Sequence, residues 1–157
     1  MKLCIKQHVF TFGSKFSVYD ESGNEKYIVE GEIFSFGRKL HVYNSSDGRE
    51  VAYIEQRLFT FTPVYSIYIG AGHAFDIHKK FTLFYSAYDI DGMGLEVEGD
   101  FLGHDYSVNK DGTQIAFISK EWFTFGDVYC IDVAFEEYEI AVLCAAIVID
   151  CVADSKN

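Results

Sequence analysis

The chain has 157 residues and no Pro-, Gly- or Ser-rich break, which suits a single domain spanning 1–157 with a sizeable core. Its formal net charge of −11 gains nothing from phosphate backbones and on average repels anionic surfaces, so nucleic acid is set aside as a partner. The aromatic share of 17% fits large rings on half-buried strands and at corners, with no binding site required.

The first regular element is Ile5-Lys6-Gln7-His8-Val9, which alternates apolar and polar with period two and runs into the aromatic corner VFTFG at Val9. A second short strand, Phe16-Ser17-Val18, follows and ends in the turn cluster Ser22-Gly23-Asn24. The unit then repeats. Its opening strands return at Val29 to Ile33, Ile54 to Leu58, Ile77 to Phe81, Val97 to Phe101 and Ile118 to Trp122, with IFSFG at Ile33 and WFTFG at Trp122 as the nearest copies of the corner. Its second strands return at Leu40, Tyr65, Tyr88, Tyr106 and Tyr129, and turns follow at Ser46-Asp47-Gly48, Gly70-Ala71-Gly72, Asp91-Gly92 and Lys110-Asp111-Gly112. The spacing of roughly 20 to 25 residues is that of one supersecondary unit. The third position of the opening strand reads Gln7, Gly31, Gln56 and then Lys79, Gly99, Lys120, which suggests two similar halves of three units.

After Val133 the alternation stops. The run from Ile140 to Ile149 is apolar and contains Ala but no Gly or Pro, and Glu136, Glu137 and Glu139 precede or open it. Carboxylates favour a helix N-terminus, so a helix is predicted from Glu137 to about Val152, apolar nearly all round. About twelve antiparallel strands are better closed than left with open edges, and a barrel of that size is too wide for wall side chains alone to fill. An all-apolar helix cannot lie on a solvated surface. The expected fold is therefore mainly β: a closed antiparallel barrel of six two-strand repeats threaded by its own C-terminal helix.

The run Tyr-Ile-Val-Glu-Gly at Tyr27, Glu-Val-Glu-Gly-Asp-Phe at Glu96, His104-Asp105-Tyr106, Ala116-Phe117-Ile118-Ser119-Lys120 and the closing apolar helix together resemble the LURP-one-related family. The resemblance covers essentially the whole chain. It implies a tubby C-terminal-like fold, a closed barrel around a central hydrophobic helix, and carries no catalytic role. For some members of that fold it also implies phospholipid or phosphoinositide binding, a pattern from which this chain departs in its acidic charge.

His8, His41, His73, His78 and His104 form no HExxH or Cys/His array, so no metal is expected and they read as strand-end residues. His104, Asp105 and Tyr106 bring an imidazole, a carboxylate and a phenol close in sequence, but neighbours on a strand point to opposite faces and a structural role is expected. Glu30 with Glu32 and Glu98 with Asp100 share a strand face and read as solvated pairs. Arg38-Lys39 and Lys79-Lys80 are the adjacent basic pairs, read as solvated strand ends. Gly13, Gly37, Gly103 and Gly126 read as bend residues, while Gly31 and Gly99 inside strands suggest close approach of the central helix. No GxSxG elbow or phosphate loop is present, so no catalytic residue and no cofactor are assigned.

Cys4, Cys130, Cys144 and Cys151 form no CxxC, and Cys144 and Cys151 read as small buried hydrophobes of the helix. Together with an N-terminal segment that has no long apolar run, they support a cytoplasmic protein. The apolar run of about ten residues before Asp150 falls well short of the roughly 20 needed to span a bilayer, so no transmembrane segment is expected. The function expected is a non-enzymatic binding or interaction module for an unidentified protein or lipid. Phospholipid binding at a membrane surface is the alternative, and an enzyme with an unrecognised site the second. A channel lined by Gln7, Gln56, Lys79 and Lys120 would reopen the ligand question.

Overall fold

The computed structural model describes residues 1–6, 15–100, 105–123 and 126–154, with side chains at 121–127 and 154 outside that description. Twelve strands occur in chain order: β1 Lys2–Lys6, β2 Lys15–Asp20, β3 Glu25–Gly31, β4 Lys39–Asn44, β5 Glu50–Gln56, β6 Val64–Ile69, β7 Gly72–Lys79, β8 Ala87–Asp91, β9 Leu95–Gly99, β10 Asp105–Lys110, β11 Thr113–Phe123 and β12 Gly126–Val133. Each pairs antiparallel with its chain neighbours, and β1 pairs with β12 to close the barrel. Period-two patterning is the cause. Val18, Val29, Val42, Ile54, Ile67, Val97, Val108 and Ile118 all face inward and are fully buried, while the intervening residues point to the outer face.

The lumen is filled by α1, Glu139–Asp154, which follows a single 3-10 turn at Glu136–Tyr138. Its residues from Ala141 to Val152 are buried on every face and belong to one core with the inward side chains of the wall. Sixteen helical residues rise about 24 Å, enough to run the length of such a lumen. The regular helix starts two residues later than the carboxylate pattern suggested. Glu136 and Glu137 sit in the exposed 3-10 turn, and it is Glu139, in the first α turn, that is buried. Lys26 donates to Glu139 Oε1 at 2.6 Å and the Tyr27 hydroxyl donates to the same oxygen at 3.2 Å. A buried carboxylate needs such partners, and the positive end of the helix dipole adds to them. Burial, then the neighbouring Glu139 charge, raises the Tyr27 phenol above its ordinary range.

The opening strands of the second to fifth units are shorter than alternation suggested. β3, β5, β7 and β9 stop at Gly31, Gln56, Lys79 and Gly99, the third position of each stretch, so Ile33, Leu58 and Phe81 leave the sheet instead of continuing its inner face. β11, by contrast, runs on to Phe123. Opposite those third positions lies a ring contributed by the second strands: Leu40 pairs with Gly31, Tyr65 with Gln56, Tyr88 with Lys79, Tyr106 with Gly99 and Tyr129 with Lys120. Leu40 and the four tyrosines are buried and, with the helix, line the interior at this end.

Gly99 needs correction against the sequence reading. A Cβ there would stand 2.6 Å from Tyr106 Cε1 and 3.2 Å from the Ser86 carbonyl oxygen, so the close approach is by a cross-strand ring and not by the helix. Gly37 is a bend residue as its pattern implied: φ is +75° and a Cβ would meet Leu58 Cδ2 at 2.9 Å. Gln7, His8, the corner from Val9 to Gly13, Gly103 and His104 lie outside the described residues.

Candidate functional site

Because strand direction alternates, β3–β4, β5–β6 and β7–β8 connect at one end of the barrel, the end at which the helix finishes, while the short hairpins connect at the other. The three connections are the aromatic corners. Phe34, Phe36, Phe59, Phe61, Phe81, Leu83 and Phe84 are between 74% and 112% exposed, with Ile33, Leu58 and Tyr85 about half exposed beside them. The aromatic share required no binding site at the corners, yet in the three described corners the rings stand exposed. The reason is steric: the tyrosine ring and the helix already occupy the space beneath them. Phe59 has φ 60°, in the left-handed region, a conformation that costs a non-glycine residue on the order of 1 to 2 kcal/mol. The fully exposed ring offsets none of that through packing.

Charge is mixed at both ends. The three described corners carry Arg38, Arg57 and Lys80 against Glu32, with Asp100 and Asp105 at the same end beside β9 and β10. The opposite end carries Asp20, Glu21, Glu25, Asp47, Glu136 and Glu137 together with Lys26, Arg49 and Lys110, so carboxylates outnumber cations there. At the rim, Arg57 Nε donates to Ser66 Oγ at 3.1 Å, Lys80 lies 3.8 Å from Asp89, and the Arg38 backbone N–H donates to Gln56 Oε1 at 3.0 Å.

The residues singled out from sequence scatter over other surfaces. Asp105 opens β10 on the exposed face and Tyr106 points inward, buried over Gly99, so the two do not converge; burial raises the Tyr106 phenol. Gln56, Lys79 and Lys120 occupy the interior register opposite the tyrosines, with Lys120 Nζ 5.3 Å from the Tyr129 ring centroid. Glu30 pairs with Lys15 at 3.3 Å, and Glu32 lies 3.7 Å from His41. Glu98 and Asp100 are exposed on and just beyond β9, and the Asp100 N–H donates to the Asp105 carbonyl at 2.8 Å. His41, His73 and His78 each meet a carboxylate, Glu50 at 2.6 Å, Asp76 at 2.7 Å and Asp91 at 3.6 Å. Among the described residues no group of three or more His, Cys, Asp or Glu converges as a metal site.

Two arrangements escaped sequence reasoning. Cys4 and Cys130 are directly opposed across the β1–β12 seam, Cα atoms 4.1 Å apart, and are disulfide-bonded on the outer wall. Sequence offered only their places in the first and last strands, which become neighbours when the barrel closes. Cys144 and Cys151 are free and buried, as their helix positions implied, and burial pushes the Cys144 thiol up to about 12, which leaves it unreactive. The second arrangement is an outer-wall ladder of His41, Tyr53, Tyr68 and His73, with successive centroids 4.9, 5.6 and 5.6 Å apart. It follows cross-strand register from β4 to β7, and the alternation of each strand foretold the outward direction but not the alignment.

These features define a class of protein: an antiparallel barrel that takes its own C-terminal helix as core and presents apolar corners at one open end. The chain belongs to the LURP-one-related family, whose sequence profile matches residues 1–150. Among relatives, "Uncharacterized protein YxjI" of Bacillus subtilis (strain 168) is 34% identical over 153 residues, which is 97% of this chain and 93% of that protein. The fold is similar to that of an X-ray structure of a protein from Arabidopsis thaliana, with TM-score 0.63 and 17% identity over 97% of this chain and 90% of that one. At that identity the likeness concerns fold alone.

Proposed function

We propose that this protein is a non-enzymatic binding module whose working face is the aromatic end of the barrel. The observation that carries the reading is the display of six exposed phenylalanines on adjacent loops of a wall whose interior is filled by its own helix. Each such ring presents roughly 150 Å² or more of apolar surface. Together they exceed the few hundred Å² that a monomer ordinarily leaves as its largest exposed patch. Among the described residues of the outer wall, His41, His73 and His78 each meet a carboxylate, and Asp105 and Tyr106 face opposite ways.

Photo-crosslinking in living cells tests this. A photoreactive residue replacing Phe36 or Phe61 is expected to give adducts, while one replacing Ser22 or Ser46 at the acidic end gives few. Equal labelling at both ends, or labelling from the acidic end alone, refutes the assignment of the working face. Turnover of a metabolite by the purified protein, abolished by one conservative substitution, refutes the non-enzymatic reading.

A cytoplasmic location goes with this proposal, and the Cys4–Cys130 pair provides its check. Disulfides are rare in a reducing cytosol. Rapid alkylation of intact cells should therefore find both thiols largely reduced, whereas a fully oxidised pair would place the protein in an oxidising compartment.

A further inference from the structure

We infer that the occupant of the aromatic rim is the interfacial zone of a lipid bilayer, entered by the phenylalanine rings themselves; this rests on the rim being the working face. Three observations lead there. The six rings stand in pairs on three loops, Phe34 with Phe36, Phe59 with Phe61 and Phe81 with Phe84, and each is at least 74% exposed, so none is seated against the protein's own surface. A protein partner would need a matched pocket for each ring, whereas a fluid apolar phase receives them independently.

The second observation is the placement of charge. Arg38, Arg57 and Lys80 stand at the loop bases, a few residues behind the ring tips, at the level where lipid phosphates lie when the rings are inserted. The hairpin end, where carboxylates outnumber cations, then points away from the surface, which orients a molecule whose overall charge is repelled. The same charges disfavour a second copy as occupant, because rim-to-rim contact would bring Arg38, Arg57 and Lys80 of both copies together.

The third is Phe59, held fully exposed in the left-handed region. Backbone strain that no internal contact compensates is retained where the ring has an external use. Affinity in this arrangement comes chiefly from apolar area, with the basic residues adding a smaller, salt-sensitive part. It differs from capture of a particular headgroup, which needs a cradle of cations and not a fringe of phenyl rings.

The test uses the full chain with vesicles of phosphatidylcholine, alone and mixed with phosphatidylglycerol. The protein is expected to cosediment with both, more with the mixture. Phe34→Ser with Phe36→Ser, or Phe59→Ser with Phe61→Ser, should weaken partitioning about tenfold or more, since each pair removes two inserted rings. Unchanged melting temperatures would show that these exposed substitutions leave the fold intact. Phe61→Trp should shift its emission to the blue on binding and be quenched by lipids brominated in the acyl chain. Absence of vesicle binding, binding without acyl-chain quenching, binding only to phosphoinositide vesicles, or rim-dependent dimerisation in place of lipid binding each overturns the inference. Rim crosslinks to a protein without vesicle binding would leave the working-face assignment standing and remove the bilayer alone.

Discussion

Reducing the Cys4–Cys130 bond should be the most damaging single covalent change available to this fold. The two cysteines are 126 residues apart in sequence, and the bond ties the first strand to the last across the seam that closes the barrel. In the chain-entropy treatment a closed loop of that length removes about 5 kcal/mol of conformational freedom from the unfolded chain. Measured gains often fall below that value, so about 3 to 5 kcal/mol is expected. For a domain of this size each kcal/mol moves the midpoint by about 2–4 °C, so reduction should lower Tm by about 6 to 20 °C. Urea unfolding with and without reductant, accompanied by thiol titration, measures it. Equal urea midpoints while titration finds the pair oxidised in one sample and reduced in the other would refute the reasoning, as would four free thiols in both. The Cys4→Ala, Cys130→Ala variant should match the reduced protein within about 1 kcal/mol, because the half-buried sulfurs contribute little packing.

Lys26→Met should destabilise by about 3 to 5 kcal/mol in urea unfolding, because it strips the ammonium from buried Glu139 and leaves a carboxylate at the mouth of the helix. Adding Glu139→Gln should recover part of that loss, and no recovery in the double variant would refute the pairing. Gly99→Ala should cost about 1 to 3 kcal/mol by pushing the Tyr106 ring off its seat, and less when combined with Tyr106→Val; strictly additive losses would argue against the contact. For Asp76, partial burial acts upward, but hydrogen bonds from His73 and Ser66 outweigh it and hold the carboxyl below its ordinary 3.8. A depressed folded value means that the stabilisation is present above pH 3.8 and disappears as pH falls through the folded value. Urea midpoints of the wild type and Asp76→Asn should therefore differ at neutral pH and converge in acid, and a constant difference would contradict the assignment.

Much of the architecture was legible because it rests on local chemistry. Alternation at Ile5, Val29, Ile54, Ile77, Val97 and Ile118 states which face of each strand is buried, and the turns at Gly23, Gly48 and Gly112 state where the chain reverses. An apolar run with no solvated face, from Ile140 to Ile149, requires a lumen to receive it. The working face was legible only in part. The VFTFG-type corners were visible as a repeat, yet the same letters describe a ring packed under a sheet and a ring standing in water, and no single-chain pattern separates the two. His104, Asp105 and Tyr106 looked promising through adjacency, which in a strand separates side chains; the structure places Asp105 and Tyr106 on opposite faces.

The sequence by itself determined the strand count, the inward and outward faces, the closed barrel and its helical plug, since each follows from periods and turns within a few residues. Tertiary structure alone decided that Cys4 meets Cys130, that Lys26 reaches Glu139 across 113 residues, and that Tyr106 takes the space above Gly99. It also decided that the phenylalanines of the three described corners face outward. These outcomes depend on which surfaces become neighbours after closure and on what the helix has already filled, and neither quantity is encoded in any local stretch of the chain.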